Sequence, residues 1–365
     1  MTSPAEAPID AVLVGTVDAA PGSAAVVVGA RLAVRHAGRL EVYDTGAFLR
    51  GGAAPRCAVD VPPGADGAPL GDGAVLAGPT CVRALDRTGS VRWEVPHPTW
   101  QGGPPHPQAP DAPAVSPDGT LVSVVVPALA EPKSNGTRVR HDGEGTRYGR
   151  DVLLLLDAAT GRIRAARPVN SRASVVTQRW HPDGSLLALS CWTAWYSWST
   201  WWIEPRRDGL HIRGGTRMRE VIGFVAGSAR ALTLRRAELL APEDDRDELA
   251  AHDISADEPV AVYDLAALAG RPVGPVDVRE GSDEVFEDAH LLDGEHVLVT
   301  ARPRPGAGAR AQAGAGAPRH WLCDAATLRP VGRLRYPVPV GRVTPLGDGS
   351  WLTDGPRGFH HWSLS

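Results

Sequence analysis

The chain has 365 residues, 43% hydrophobic and 22% charged, with a formal net charge of −4. This is globular composition, long enough for two average domains or one large all-β domain. It carries no basic field that would make nucleic acid or an anionic membrane the expected partner, and no run reaches the length of a membrane span. The start, "MTSPAEAPIDAVLVGTV", lacks a basic segment followed by a long apolar one, so no secretory signal is read there. Cys57, Cys81, Cys191 and Cys323 are far apart, with no CxxC pair. A cytoplasmic protein with reduced thiols and no bound metal is expected.

Along the chain, short apolar runs alternate with Gly, Pro, Asp and Ser, the pattern of strands and turns. A first unit, a turn ending in Gly followed by a short apolar strand, recurs seven times. It reads "PGSAAVVVG" (21–29), "GDGAVLAG" (71–78), "SPDGTLVSVVV" (116–126) and "HPDGSLLALS" (181–190). It returns as "AGSARALTL" (226–234), "LDGEHVLVT" (292–300) and "LGDGSWLTD" (346–354). Asp-Gly at such a turn supplies the positive φ of a tight hairpin.

A second unit follows each first one: an apolar strand closed by a carboxylate and a turn. Six copies end in Asp44, Asp86, Asp157, Glu204, Asp264 and Asp324, and a seventh, "FHHWSLS" (359–365), is degenerate. A carboxylate there accepts hydrogen bonds from backbone N–H groups one to three residues on. Matched positions in repeats argue for turn-making rather than for metal or acid–base chemistry.

Seven units of about 50 residues, each with two clear strands and room for two more, predict an all-β, seven-bladed β-propeller of four-stranded antiparallel blades. The hairpins "SPDGTLVSVV" and "HPDGSLLALS", with "VRALDRTGSVRWEV" (82–95) as an outer strand pair, resemble WD-repeat-like and quinoprotein-like propellers. A tail over 1–8 precedes one domain over 9–365. Its blade units fall near 19–60, 64–97, 111–169, 174–216, 221–279, 285–338 and 341–365. The last unit lacks a strand, and segment 9–17 closes the ring by supplying it. A register making 9–17 the first strand of blade one is the alternative.

With strands labelled A to D outward from the axis, A–B and C–D turns share one face, and B–C and D–A connections share the other. The elaborations all fall on this second face. They are 96–112 with Trp100; the basic segment 127–150 with Arg138, Arg140 and Arg147; the acidic segment 239–259 with Asp244 and Asp245; the low-complexity 302–318; and the tryptophan-rich "CWTAWYSWSTWWIEP" (191–205). In the last, Trp201 and Trp202 are expected to pack between blades. Trp195, Tyr196 and Trp198 are expected on the B–C turn, as an aromatic hairpin or as anchors for a partner.

No GxSxG elbow, phosphate loop or HExxH motif is present, and the twelve histidines are scattered. Adjacent His360 and His361 would point to opposite sides of a strand, and His181 reads as part of a turn. Catalytic residues and cofactors are therefore not expected. The favoured function is a scaffold, monomeric on its own, binding a protein or peptide through the elaborated face. The alternative is an enzyme, a hydrolase or oxidoreductase, with titratable groups converging at the channel mouth.

Overall fold

The computed structural model describes residues 8–98, 112–127, 151–169, 173–193, 197–235, 247–255, 259–269, 284–303 and 317–364. Strand β1 (Pro8–Asp18) comes first. Blade one holds β2 (Ala24–Val28), β3 (Arg31–His36), β4 (Arg39–Asp44) and β5 (Cys57–Asp60). Blade two holds β6 (Asp66–Leu70), β7 (Gly73–Ala77), β8 (Cys81–Leu85) and β9 (Val91–Pro96). Blade three holds β10 (Ala114–Val115), β11 (Leu121–Val126), β12 (Val152–Asp157) and β13 (Ile163–Pro168). Blade four holds β14 (Ala173–Trp180), β15 (Leu187–Thr193), β16 (Ser197–Arg206) and β17 (Gly209–Arg217).

Blade five holds β18 (Glu220–Phe224), β19 (Arg230–Arg235), β20 (Glu248–Asp253) and β21 (Pro259–Asp264). Blade six holds β22 (Glu284–Leu291), β23 (His296–Pro303), β24 (Arg319–Asp324) and β25 (Pro330–Arg335). Blade seven takes β26 (Val343–Pro345), β27 (Trp351–Gly355) and β28 (Gly358–Leu364) from the end of the chain, and β1 from its start. Ala11 to Asp18 pair antiparallel with Leu364 to Gly358, so β1 is the outer strand of blade seven. Pro8, Ile9 and Asp10 also pair in parallel with Arg333, Leu334 and Arg335 of β25, a join between blades six and seven that the repeat pattern does not announce.

Alternation along each strand sends successive side chains to the two neighbouring blades. The described residues accordingly form seven separate apolar clusters, one at each boundary between blades. The boundary of blades seven and one is filled by Val17, Leu32, Phe48, Leu352 and Phe359, which completes the ring.

The turns follow the repeat reading in blades two to seven and extend it. In blade one the copy over 21–29 is instead strand A (β2), and the B strand β3 is entered through the turn at Gly29 and Ala30, because three further strands of the blade follow β2. Gly119 and Gly184 have φ of 71° and 76°. The aspartates beside them also act: Asp118 accepts from Thr120 N at 3.0 Å, and Asp183 from Ser185 N at 2.8 Å. Asp86, Asp157 and Asp324 accept backbone N–H bonds as expected, and Asp44 caps the five-residue helix α1 (Thr45–Leu49). Glu204 differs: it pairs with the Arg206 guanidinium at 3.0 Å, because its longer side chain reaches past the turn.

Blade five requires a correction. The C strand is Glu248–Asp253, and "PVAVYD" is the outer strand, with Glu248 opposite Asp264. Asp253 is therefore the turn-maker, accepting from Ser255 N at 2.9 Å, and Asp264 stands at the end of strand D. The B–C connection spans 236–247, and the D–A connection leaving Asp264 is a further long one on the same face.

Candidate functional site at the loop face

Trp198 is the one partner-binding candidate among the described residues. It lies in strand β16, not in the turn, and is 6% exposed, so it is not a free anchor. Trp192 stands directly opposite it, and only three residues separate the two strands. The stretch is thus two long strands of one hairpin, since β-branched and aromatic residues continue the pairing to the tip. Trp201 packs towards blade three and Trp202 towards blade five, as expected. Trp100, Trp195, Tyr196, Arg138, Arg140, Arg147, Asp244 and Asp245 lie outside the described residues.

The described part of the loop face has two concavities around the D–A connection from blade six to blade seven. On its channel side a cavity of about 280 Å³ opens between the two blades, lined by Glu287, Asp288, His290, Thr300, Arg302 and Arg342 among others. Asp288 and Thr300 are cross-strand partners, and so are Thr300 and His320, so the three share one side of blade six. Glu287 accepts from Arg302 Nε at 2.5 Å, and the His290 Nε2 lies 3.2 Å from Asp288. His320 is fully buried; its Nδ1 is 2.8 Å from the Tyr336 hydroxyl, and its Nε2 has no hydrogen-bond partner. Burial, with His290 and Arg302 nearby, pulls His320 down to about 3, so the imidazole is neutral. Behind the cavity-lining Gly341, whose N–H donates to the Asp354 carbonyl, burial raises the Asp354 carboxyl above its ordinary value.

On the outer side of the same connection lies a groove of about 450 Å³. Leu334, Tyr336, Val338 and Val340 supply an apolar floor, and Arg319, Arg333 and Arg335 a basic rim. No acidic residue lines it among the described residues. Arg335 is bidentate to Asp10 of β1, at 2.5 and 2.7 Å. The Arg333 side chain is exposed and makes no hydrogen bond or ion pair among the described residues.

His181 is structural. His181 Nδ1 meets Asp183 at 2.6 Å and Nε2 meets the Ser228 carbonyl at 3.1 Å, fastening one turn to the next blade. His360 and His361 do face opposite ways, opposite Thr353 and Leu352 respectively. Between blades four and five, Thr177, Ser190, Thr200 and Thr216 form a hydroxyl row across all four strands. Ser190 meets Thr200 at 2.6 Å and takes the Val221 N–H at 2.8 Å, while Arg219 pairs with Glu248. These contacts read as a staple between blades. Among the described residues no cluster of His, Cys, Asp or Glu could hold a metal.

The sequence reading missed the groups around the six-to-seven connection. Their signal was polar residues at positions that are apolar in another blade. Thr300 and His320 occupy the paired places that Val125 and Leu153 hold in blade three.

No protein-family model matches the chain, and no curated protein matches it in sequence. Solved structures do match. BamB from Moraxella catarrhalis superposes with a TM-score of 0.50 at 10% identity, over 98% of this chain and 86% of that one. The molecule is a β-propeller, WD-repeat-like and quinoprotein-like in architecture. The Pan2 WD40 domain from Neurospora crassa aligns at 0.49 and 11% identity, over 100% of this chain and 97% of that chain. The β-propeller domain of the Trilobed protease from Pyrococcus furiosus aligns at 0.41 and 10%, over 94% and 78%. At these identities the likeness concerns the fold alone.

Proposed function

We propose that this propeller is a binding scaffold that takes a protein or peptide partner on the face of the long B–C and D–A connections. The observation that carries the reading is the groove there, an apolar floor with a basic rim beside the ring closure. Loops that grow on one side of a rigid ring suit recognition. The four cysteines are unpaired, which suits a reducing compartment such as the cytoplasm, with the protein acting as a monomer.

The test is to pan a display library of random peptides against the full-length protein. Selected peptides should lose binding to Val338→Glu on the loop face and keep it with Arg87→Glu on the opposite face. A library that yields no binder, or binders sensitive only to Arg87→Glu, refutes the reading.

A second reading, an enzyme, is favoured by the titratable groups of the inner cavity, Glu287, Asp288, His290 and Arg302. It requires turnover, in a panel of ester and redox substrates, that His290→Ala abolishes while the fold stays intact.

A further inference from the structure

We propose that the outer groove between blades six and seven recognises an acidic peptide segment, one carboxylate residue next to a bulky apolar one. The inference rests on the binding function above and names the chemistry of its partner.

Three features point the same way. The rim holds three arginines and no acid among its lining residues. Asp10 shows what this rim accepts: a carboxylate carried on an extended strand, held by both forks of Arg335. Arg333 stands two residues before Arg335 on the same strand, so its side chain leaves on the same side of the sheet. Unlike Arg335, it has no partner among the described residues. A planar guanidinium beside an occupied one is suited to a second carboxylate in the same fork-to-fork geometry.

The floor sets the neighbouring residue. Val338 and Tyr336 are half-buried and line the same groove as Arg333, from the opposite side of β25, where they pack with the more deeply buried Leu334 and Val340, so the groove offers apolar surface as well as charge. An acidic residue alone would leave that surface wet. A following Leu or aromatic side chain covers it and adds the larger share of affinity. A neutral peptide has no counter-charge for Arg333, and a basic one also meets repulsion at the rim.

The experiment uses the full-length protein and two fluorescein-labelled peptides, Glu-Asp-Leu-Glu-Leu and its amide counterpart Gln-Asn-Leu-Gln-Leu, read by fluorescence anisotropy. The acidic peptide should bind at least about tenfold tighter than the amide, with affinity falling as salt rises. Arg333→Glu should weaken it by about tenfold or more, and Arg87→Glu should leave it unchanged. Circular dichroism confirms that both variants fold, and Arg333→Gln provides a milder second variant. Equal binding of the two peptides, or full binding to Arg333→Glu and Arg333→Gln, overturns the proposal. If neither peptide binds while library-selected peptides still depend on Val338, the acidic assignment falls and the binding function stands. If nothing binds the loop face, both fall.

Discussion

The Trp93 indole of blade two donates its N–H to the Ala158 carbonyl of blade three at 3.0 Å, across the boundary between the blades. Its ring lies over Gly161, where an added Cβ would sit 2.7 Å from the indole. Gly161 also has a φ of 71° in the turn that Asp157 closes. The outer strand of one blade is thus docked on the C–D turn of the next. Gly161→Ala combines a steric clash with an unfavourable backbone, and should destabilise by about 1–3 kcal/mol. Trp93→Phe removes the donor together with part of the ring, and should cost about 1 kcal/mol beyond the lost ring area. Urea unfolding followed by tryptophan fluorescence measures the first, and circular dichroism the second.

Ring closure makes a contrast between a strand and an ion pair. Asp10 and Arg335 are both largely exposed, so Asp10→Asn should move Tm by under about 2 °C. Removing residues through Asp18 strips the outer strand from blade seven, with buried Ala11 and Val17. Tm should then fall by more than about 5 °C, in a broader transition. Calorimetry of the two variants separates the contributions.

Stability should fall as pH falls from about 6.5 towards 4. His252 and His320 are held neutral by burial, at about 4 and about 3, whereas an unfolded histidine titrates near about 6.5. Between these values the unfolded chain binds more protons than the folded one, so protonation favours unfolding. The stability is fully present above the unfolded value and is lost as pH drops through the window towards the folded values. For each residue the loss by pH 4 is of order 2–3 kcal/mol. Asp157 and Asp183, lowered to about 2, add their losses only below about pH 4. His320→Leu should therefore flatten the slope between pH 6.5 and 5, as read by denaturant midpoints.

Trp198→Ala should act on the fold. A nearly buried indole leaves a cavity, costing about 3–5 kcal/mol. A variant with wild-type unfolding midpoint would show that Trp198 is dispensable to the hairpin. Any loss of partner binding by Trp198→Ala must be compared with its loss of stability before it is assigned to an interface.

The ring was legible in the sequence because a Gly-containing turn and an apolar strand recur seven times, six of them as the A–B turn and B strand of blades two to seven, and both are local signals. Blade five was misread because "ELAAHD" hides its strand: Glu248 pairs with Arg219, and His252 meets Thr233 at 3.0 Å, so two buried polar residues break the apolar run. "PVAVYD" imitates the inner pattern while Val260 and Val262 face solvent. The candidate site was not legible for a different reason. Arg302, His320 and Arg333 come from three strands of one blade, and only pairing in three dimensions gathers them beside the connection at Tyr336. The parallel join of β1 to β25, which brings Asp10 to Arg335, likewise spans nearly the whole chain.

Hydrogen–deuterium exchange of the full-length protein, with and without a bound library-selected peptide, tests the binding function most directly. Protection is expected in the segment from Tyr336 to Val340 and at the start of β24, with the A–B and C–D turns unchanged. Protection confined to those turns, or none at saturating peptide, would contradict a binding site on the loop face.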